Sequence, residues 1–415
     1  MSQTEDEQSR RAEQWLRVGA GLPWSPQEIA QRIGEHVVGQ TDAVRATAIA
    51  VHHHLLRVRQ AVRQPHAVRP IAVPSMLLIG PTGVGKTSIA RALGSILPLP
   101  VLVCDASHLT EEGYVGSSVA DWLRTLLHLS EGLLPVASRS ILFIDEVDKK
   151  AASGYGPRSF RDVSGDGAQN MLLRLLEGGV MPVEILRAAD GAMSRQTIAF
   201  DVSNLLIITA GAFVGLSGII RQRMAGPRRV GFSDRGGEVA SDADEGQLLR
   251  SVEAADLIDF GMKPELIGRL GRLVVLSPLG RAEALRILCD VPNGPVKTAQ
   301  AIAGEQHFRW DFSRALLLEI VDRAMASGLG ARAMHGLLWQ ATERAWMEVP
   351  EALGRPEDRS DAVVTVHLNL AALQDGTYEI EWPKKTRAKR PSSEPREHLT
   401  DSAIEMPGDA EAAGG

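Results

Sequence analysis

Short unbroken apolar runs alternate with longer amphipathic stretches through the middle of the chain. The runs occupy positions 76–79, 101–104, 141–144, 205–208 and 273–276. Strands buried on both faces need such runs, so the pattern predicts a parallel sheet with helices packed on both faces. Ahead of the sheet, Ser25-Pro26-Gln27-Glu28 reads as a helix start. Ser25 caps, Pro26 suits the first helical position, and Glu28 completes a capping box. Helical spacing then runs to about position 63, interrupted at Val37-Val38-Gly39-Gln40. Pro278 and Gly280 end the strand-bearing region. Beyond them helical spacing covers 312–325 and 331–347, and a β-like stretch at 363–370 with 378–382 closes the pattern. The expected organisation is α/β: a polar N-terminal extension at 1–24, a large parallel-sheet domain at 25–277, and a smaller, mainly helical domain at 278–383. Residues 384–415 are too polar to offset the entropy of ordering and are expected to be disordered.

Composition narrows the class. The chain has 415 residues, 44% hydrophobic and 23% charged, with 45 basic against 51 acidic side chains and a net charge of −6. That length suffices for two domains. Cys104 and Cys289 are the only cysteines, which excludes a disulfide scaffold and a Cys₄ zinc module, so no zinc is expected. No run approaches 18 apolar residues, and the charged N-terminus lacks the apolar segment of a secretory signal. A cytoplasmic protein is expected, with no membrane association. Mild acidity argues against general nucleic-acid binding, and the basic cluster 384–390 reads as a solvated tail. His52-His53-His54 diverge by about 100° per residue on a helix and cannot converge on one metal ion; a surface or interface role is expected. Cys104, at the end of an apolar run, reads as a core residue.

Two motifs carry chemistry. Gly80-Pro81-Thr82-Gly83-Val84-Gly85-Lys86-Thr87, followed by Ser88, matches G-x-x-x-x-G-K-[ST] between a strand and an amphipathic helix. Glycines let backbone N–H groups wrap phosphates, and the helix N-terminus adds its positive dipole end. Lys86 would reach the β and γ phosphates, and the Thr87 hydroxyl would ligate Mg²⁺. About sixty residues on, Ile141-Leu142-Phe143-Ile144-Asp145-Glu146 delivers two carboxylates to the C-terminal end of a strand, where α/β folds bind ligands. Asp145 would hold the Mg²⁺ shell and Glu146 would polarise the attacking water. A signalling GTPase does not need that second carboxylate, so ATP hydrolysis is the expected reaction. Thr209, taken as the residue after the 205–208 strand, is a weaker candidate for a polar sensor of the water.

These residues resemble the AAA+ superfamily, and within it the ClpX unfoldases, from about Ser25 to Trp382. Further motifs carry the likeness: Leu109-Thr110-Glu111-Glu112-Gly113-Tyr114-Val115-Gly116, Arg161-Asp162-Val163-Ser164-Gly165-Asp166-Gly167, Gly211-Ala212-Phe213, the stretch from Phe260-Gly261-Met262 through Gly268-Arg269-Leu270, and Gly330-Ala331-Arg332. The short stretch between Gly116 and Ile141 leaves no room for the inserted domain of the related HslU branch. The resemblance implies a ring-forming homo-oligomer, most simply a hexamer, acting on protein substrates. It implies that Tyr114 and Val115 form an axial pore loop, that Arg269 is an arginine finger supplied to a neighbour's nucleotide, and that Arg332 senses nucleotide from the small domain. Val37 and Val38 would line the nucleotide site.

The sequence departs from the family at three points. The two cysteines cannot build the zinc-binding module that recruits clients in ClpX proteins, so recruitment would fall to the N-terminal extension or the tail. The 178–198 segment lacks the family's Arg-Lys-His tripeptide and offers only Arg187 and Arg195 as cations. Val230-Gly231-Phe232 stands where the family's peptidase-docking Ile-Gly-Phe would be, so docking to a ClpP-like peptidase stays open. A nucleotide-gated assembly switch without processive unfolding remains the alternative function.

Overall fold

The computed structural model describes residues 3–63, 73–110, 117–151, 163–189, 192–225, 242–353 and 363–382. It opens with α1 (Gln3–Gly21), α2 (Pro26–Gly34) and α3 (Thr41–Arg63), then β1 (Met76–Ile79), α4 (Lys86–Ile96) and β2 (Val101–Asp105). Helices α5 (Val119–Leu129) and α6 (Leu134–Ala137) lead into β3 (Ile141–Asp145). Helix α7 (Val163–Glu177) precedes a hairpin of β4 (Val180–Ala189) and β5 (Ala192–Asp201). Next come β6 (Leu206–Gly211), α8 (Leu216–Ala225), α9 (Asp242–Leu249), α10 (Ala254–Asp259), α11 (Pro264–Leu270) and β7 (Arg272–Val275). The remainder holds α12 (Arg281–Cys289), α13 (Pro295–Glu305), β8 (Phe308–Phe312), α14 (Arg314–Ala326), α15 (Ala331–Leu353), β9 (Val364–Leu368), α16 (Ala372–Asp375) and β10 (Tyr378–Glu381).

The five apolar runs form one parallel sheet in the order β2-β3-β6-β1-β7. Period-two alternation sorts each strand's side chains between two cores. Met76 and Leu78 of β1 join Ile29, Val51 and Leu93 on one face, while Leu77 and Ile79 join Leu123, Leu172 and Phe213 on the other. The capping box at Ser25 forms as expected, with the Glu28 N–H donating to Ser25 Oγ and the Ser25 N–H donating to Glu28. A third core lies beyond residue 280, where Phe308, Trp310, Leu316, Leu338 and Val366 pack under a sheet ordered β10-β9-β8. Trp310 stands edge-on to both Phe308 and Trp346 there, at centroid distances of 5.0 and 5.1 Å.

Two local readings change, and a hairpin and a strand are added. The polar segment 3–21 is a helix packed through a narrow stripe: Ala12, Leu16 and Gly19 are buried at helical spacing, and Trp15 Nε1 donates to Pro98 O at 2.7 Å. The 178–198 segment is mostly a β-hairpin, with Met181 and Val183 buried and Val180 and Leu186 outward. Strand β8 is as long as β2 and β3 but is no unbroken apolar run: Phe308, Trp310 and Phe312 alternate with Arg309 and Asp311. His54 is fully buried: its Nε2 bonds Arg139 O at 2.8 Å and its Nδ1 accepts from Arg57 at 2.9 Å. Burial and the neighbouring Arg57 cation push the His54 pKa down to about 3. His52 instead bonds Trp24 O, so the triplet does diverge. Among the described residues no helix is long and apolar enough to cross a membrane.

Candidate functional site

The phosphate loop follows β1 and turns into α4 through Gly85, which takes φ +106° as the helix N-cap. No side chain caps this end, which leaves the first N–H groups of α4 available to an anion. Gly80 is fixed from behind, its N–H donating to Gly211 O at 3.3 Å. Lys86 is nearly buried and donates to Gly80 O and Pro81 O at 2.6 and 2.7 Å. Burial lowers the Lys86 pKa, and the carboxylates of Asp145, Asp148 and Glu146 oppose that shift. Pro81 and Thr82 belong to this loop but do not line the cleft, whose loop lining begins at Gly83; Thr82 is exposed.

Strand β6 lies between β1 and β3, so the phosphate loop and Asp145 emerge at the same C-terminal edge of the sheet. The Thr87 hydroxyl donates to Asp145 Oδ2 at 2.5 Å. This hydroxyl–carboxylate pair is a hard, all-oxygen donor set of the kind Mg²⁺ prefers when it shares phosphate oxygens. Glu146 sits at φ +56°, ψ +34°, a left-handed conformation that costs a non-glycine residue on the order of 1–3 kcal/mol. Its N–H bonds Asp145 Oδ1, and the next turn is held by Asp148, which accepts from the N–H groups of Ala212 and Phe213. The two carboxylates therefore leave the strand at fixed, different angles.

Together these groups line a cleft of about 640 Å³ between the sheet edge and the helical module. Gly83, Val84, Gly85, Lys86, Thr87 and Ser88 form its floor, with Asp145 and Glu146 at one end. Val37 and Val38 form one apolar wall, opposed by Ile287 and Val291 of the helical module. Arg332 enters from the first turn of α15, with His335 one turn further along. Sequence reasoning missed Ile287, Val291 and His335, together with Asn293, Gly294 and Pro295 at the start of α13. Glycine-proline at a helix start and the three-residue step from Arg332 were the available signals. Cys104 also borders the cleft; it is buried, which pushes its thiol up to about 12 and leaves it a neutral wall. Val103 is partly exposed there because β2 is an edge strand.

A model of the AAA domain (Cdc48 subfamily) matches residues 71–273. The ATP-dependent Clp protease ATP-binding subunit ClpX of Borrelia duttonii is 33% identical over 332 residues, spanning 80% of this chain and 76% of that protein. The ClpX subunits of Treponema denticola and Porphyromonas gingivalis are each 33% identical, over 335 and 348 residues. They cover 80% and 84% of this chain, and 79% and 83% of their own lengths. The chain belongs to the ClpX family.

Membership in the ClpX family bears on residues outside the cleft. Arg269 ends α11 on the surface, half-exposed and 4.0 Å from Glu177, away from the cleft of its own chain. Thr209 does not reach the cleft. Strand β6 continues to Gly211, so Thr209 lies within the sheet, buried, with its hydroxyl donating to Met76 O at 3.0 Å. The ClpX-like motif residues Tyr114 and Val115, and the tripeptide Val230, Gly231, Phe232, lie outside the described residues, as does the tail at 384–415.

Proposed function

We propose that this chain is an ATP-driven protein unfoldase that works as a ring, most simply a hexamer. The observation that carries the reading is the cleft itself: phosphate-loop amides, a hydroxyl–carboxylate pair and a second carboxylate on one side, and Arg332 on the other. ATP would lie with its base between Val37, Val38, Ile287 and Val291 and its phosphates on the amides of 83–88. Lys86 would exchange two carbonyl acceptors for phosphate oxygens. Thr87 and Asp145 would hold Mg²⁺, which supplies charge neutralisation at the phosphates when bound. Glu146, set off the strand axis by its left-handed backbone, would orient and deprotonate the attacking water. The exposure of Arg269, away from the cleft of its own chain, supports its supply to a neighbour's site, where a guanidinium neutralises transition-state charge. Arg332 would carry nucleotide state into the helical module, and the resulting movement would draw client polypeptide past Tyr114 and Val115. A ClpP-like peptidase docked through Val230, Gly231 and Phe232 would receive the product.

Glu146→Gln should keep ATP binding and lower turnover by about 10²–10⁴-fold, read by steady-state hydrolysis beside equilibrium binding. Undiminished turnover removes Glu146 from the chemistry. Tyr114→Ala should retain hydrolysis while losing ATP-dependent unfolding of a stable fluorescent reporter. If the wild-type ring hydrolyses ATP and captures protein without unfolding the reporter, the nucleotide-gated switch is the better description.

A further inference from the structure

Gln40 is buried, and its side-chain amide uses both ends. Nε2 donates to Val84 O of the phosphate loop at 3.2 Å and to Ser277 O at 2.8 Å. Oε1 accepts the Ser277 N–H at 3.0 Å. Ser277 lies in the segment between β7 and α12, the connection from the parallel sheet to the helical module. Both backbone groups of that connector residue are thus paired with one side chain, which also grips the phosphate loop one residue before Gly85. A primary amide carries two N–H donors and a carbonyl acceptor, and a carboxylate or aliphatic side chain of similar size lacks the donors. The residue beside it adds a second contact across the same seam. Gly39 sits at φ +78° with space so close to α12 that a Cβ would lie 2.8 Å from Glu283 Cγ.

We propose that Gln40 is a positioning residue that couples occupancy of the phosphate loop to the angle between the sheet and the helical module. The inference rests on the nucleotide reading above. Phosphate drawing Lys86 away from Gly80 O and Pro81 O rearranges the loop that contains Val84. A shift of the Val84 carbonyl reaches Ser277 through one rigid, planar group with no intervening solvent. The same amide carries the reverse influence, because coupling between two sites is reciprocal in free energy. Gln40 does not itself line the cleft and touches it only through the Val84 carbonyl, so it acts on the reaction only through the parts it joins.

The test follows amide hydrogen exchange in the peptide covering 272–280, with and without ATPγS, in the full chain. The same preparations give ATPγS affinity, ATP turnover and reporter molecules unfolded per ATP. In the wild type, exchange at 272–280 should change on nucleotide binding. In Gln40→Ala and Gln40→Glu it should cease to respond, with affinity kept within about threefold and unfolding per ATP reduced about tenfold. A merely structural role predicts instead a fall in affinity, turnover and unfolding together with the melting temperature. Should Gln40→Ala fail to fold, Gln40→Glu keeps the acceptor for the Ser277 N–H and carries the comparison. A wild type that binds ATPγS without altered exchange at 272–280 overturns the coupling and leaves the ATPase reading intact. Variants that retain the response, or unfold as much per ATP as the wild type, also overturn it. A wild type whose exchange responds but which unfolds nothing removes the unfoldase reading and leaves the coupling standing.

Discussion

Two buried cations rest on backbone carbonyls at opposite ends of the parallel sheet. Lys86 donates to Gly80 O and Pro81 O where β1 ends. Arg57 of α3 donates to Asn204 O, Leu205 O and His54 Nδ1 where β6 begins, with a longer contact to Ser203 O. What faces each cation differs. Asp145, Glu146 and an open cleft stand before Lys86. Arg57 is sealed, faces a neutral histidine and a second arginine, Arg139, and has its pKa lowered to about 10 by burial and that neighbour. The carbonyl bonds of Lys86 face a cleft from which phosphate oxygens would replace them, and those of Arg57 face none. On the proposed reading, one bonding pattern would serve ligand exchange at one end and anchoring at the other.

Substituting the two cations should separate those roles. Arg57→Met leaves the strand-entry carbonyls and His54 Nδ1 without partners, which should cost about 4 kcal/mol at roughly 1–3 kcal/mol per buried orphan. Urea unfolding would record it, with nucleotide affinity of the folded fraction altered less than about twofold. Lys86→Met should cost less stability than Arg57→Met, because it also removes a buried charge beside an open cleft, and should weaken ATP binding about 10- to 100-fold from the loss of one charge-assisted contact. Loss of ATP binding by folded Arg57→Met to the same degree would break the distinction.

His54 sharpens it in a second way. Its folded pKa lies well below the unfolded value of 6.5, so the unfolded chain binds the proton first as pH falls. The stabilising contribution is complete above about pH 6.5 and is lost progressively toward about pH 3, by up to about 1.4 kcal/mol per pH unit. Stability against pH should flatten in that window in His54→Leu; an unchanged slope would assign acid sensitivity elsewhere.

The smallest effect belongs to His367, whose two ring nitrogens face Asp311 and Glu381 across β8-β9-β10. Hydrogen bonds to these carboxylates raise its pKa. Its contribution is complete below pH 6.5 and is lost as pH rises through the higher folded value, the reverse of His54. Thermal melts of wild type and His367→Gln should converge at alkaline pH and part slightly under acid conditions. This exposed triad is screened by solvent, so the separation should shrink further in salt.

The sheet was legible because each of its strands is an apolar run with no competing period, and the phosphate loop because its chemistry is confined to one continuous segment. Residues that act through shape were harder to read. Ile287 looks like an ordinary helix residue and Val291 like an ordinary loop residue until the fold brings both to the cleft that Val37 lines. Trp15 was passed over because the charges around it outweigh the buried stripe Ala12-Leu16-Gly19. Thr209 was misplaced by two residues of strand length, since Ala210 and Gly211 do not read as strand formers. For Gln40 the motif was visible, but the partner at Ser277 is 237 positions away and no local pattern points to it.

Gly83 occupies one of the unrestricted positions of the phosphate-loop pattern, yet a Cβ there would lie 2.8 Å from Leu329 O. Its backbone is also at φ +82°, which disfavours any side chain. The glycine is thus demanded by the far wall of the cleft as well as by the loop. Any replacement would act as a wedge between the phosphate loop and the turn at Leu329-Gly330. Reshaping the turn at Leu329-Gly330 alone would not admit a side chain at 83, because the left-handed backbone of the loop disfavours one independently.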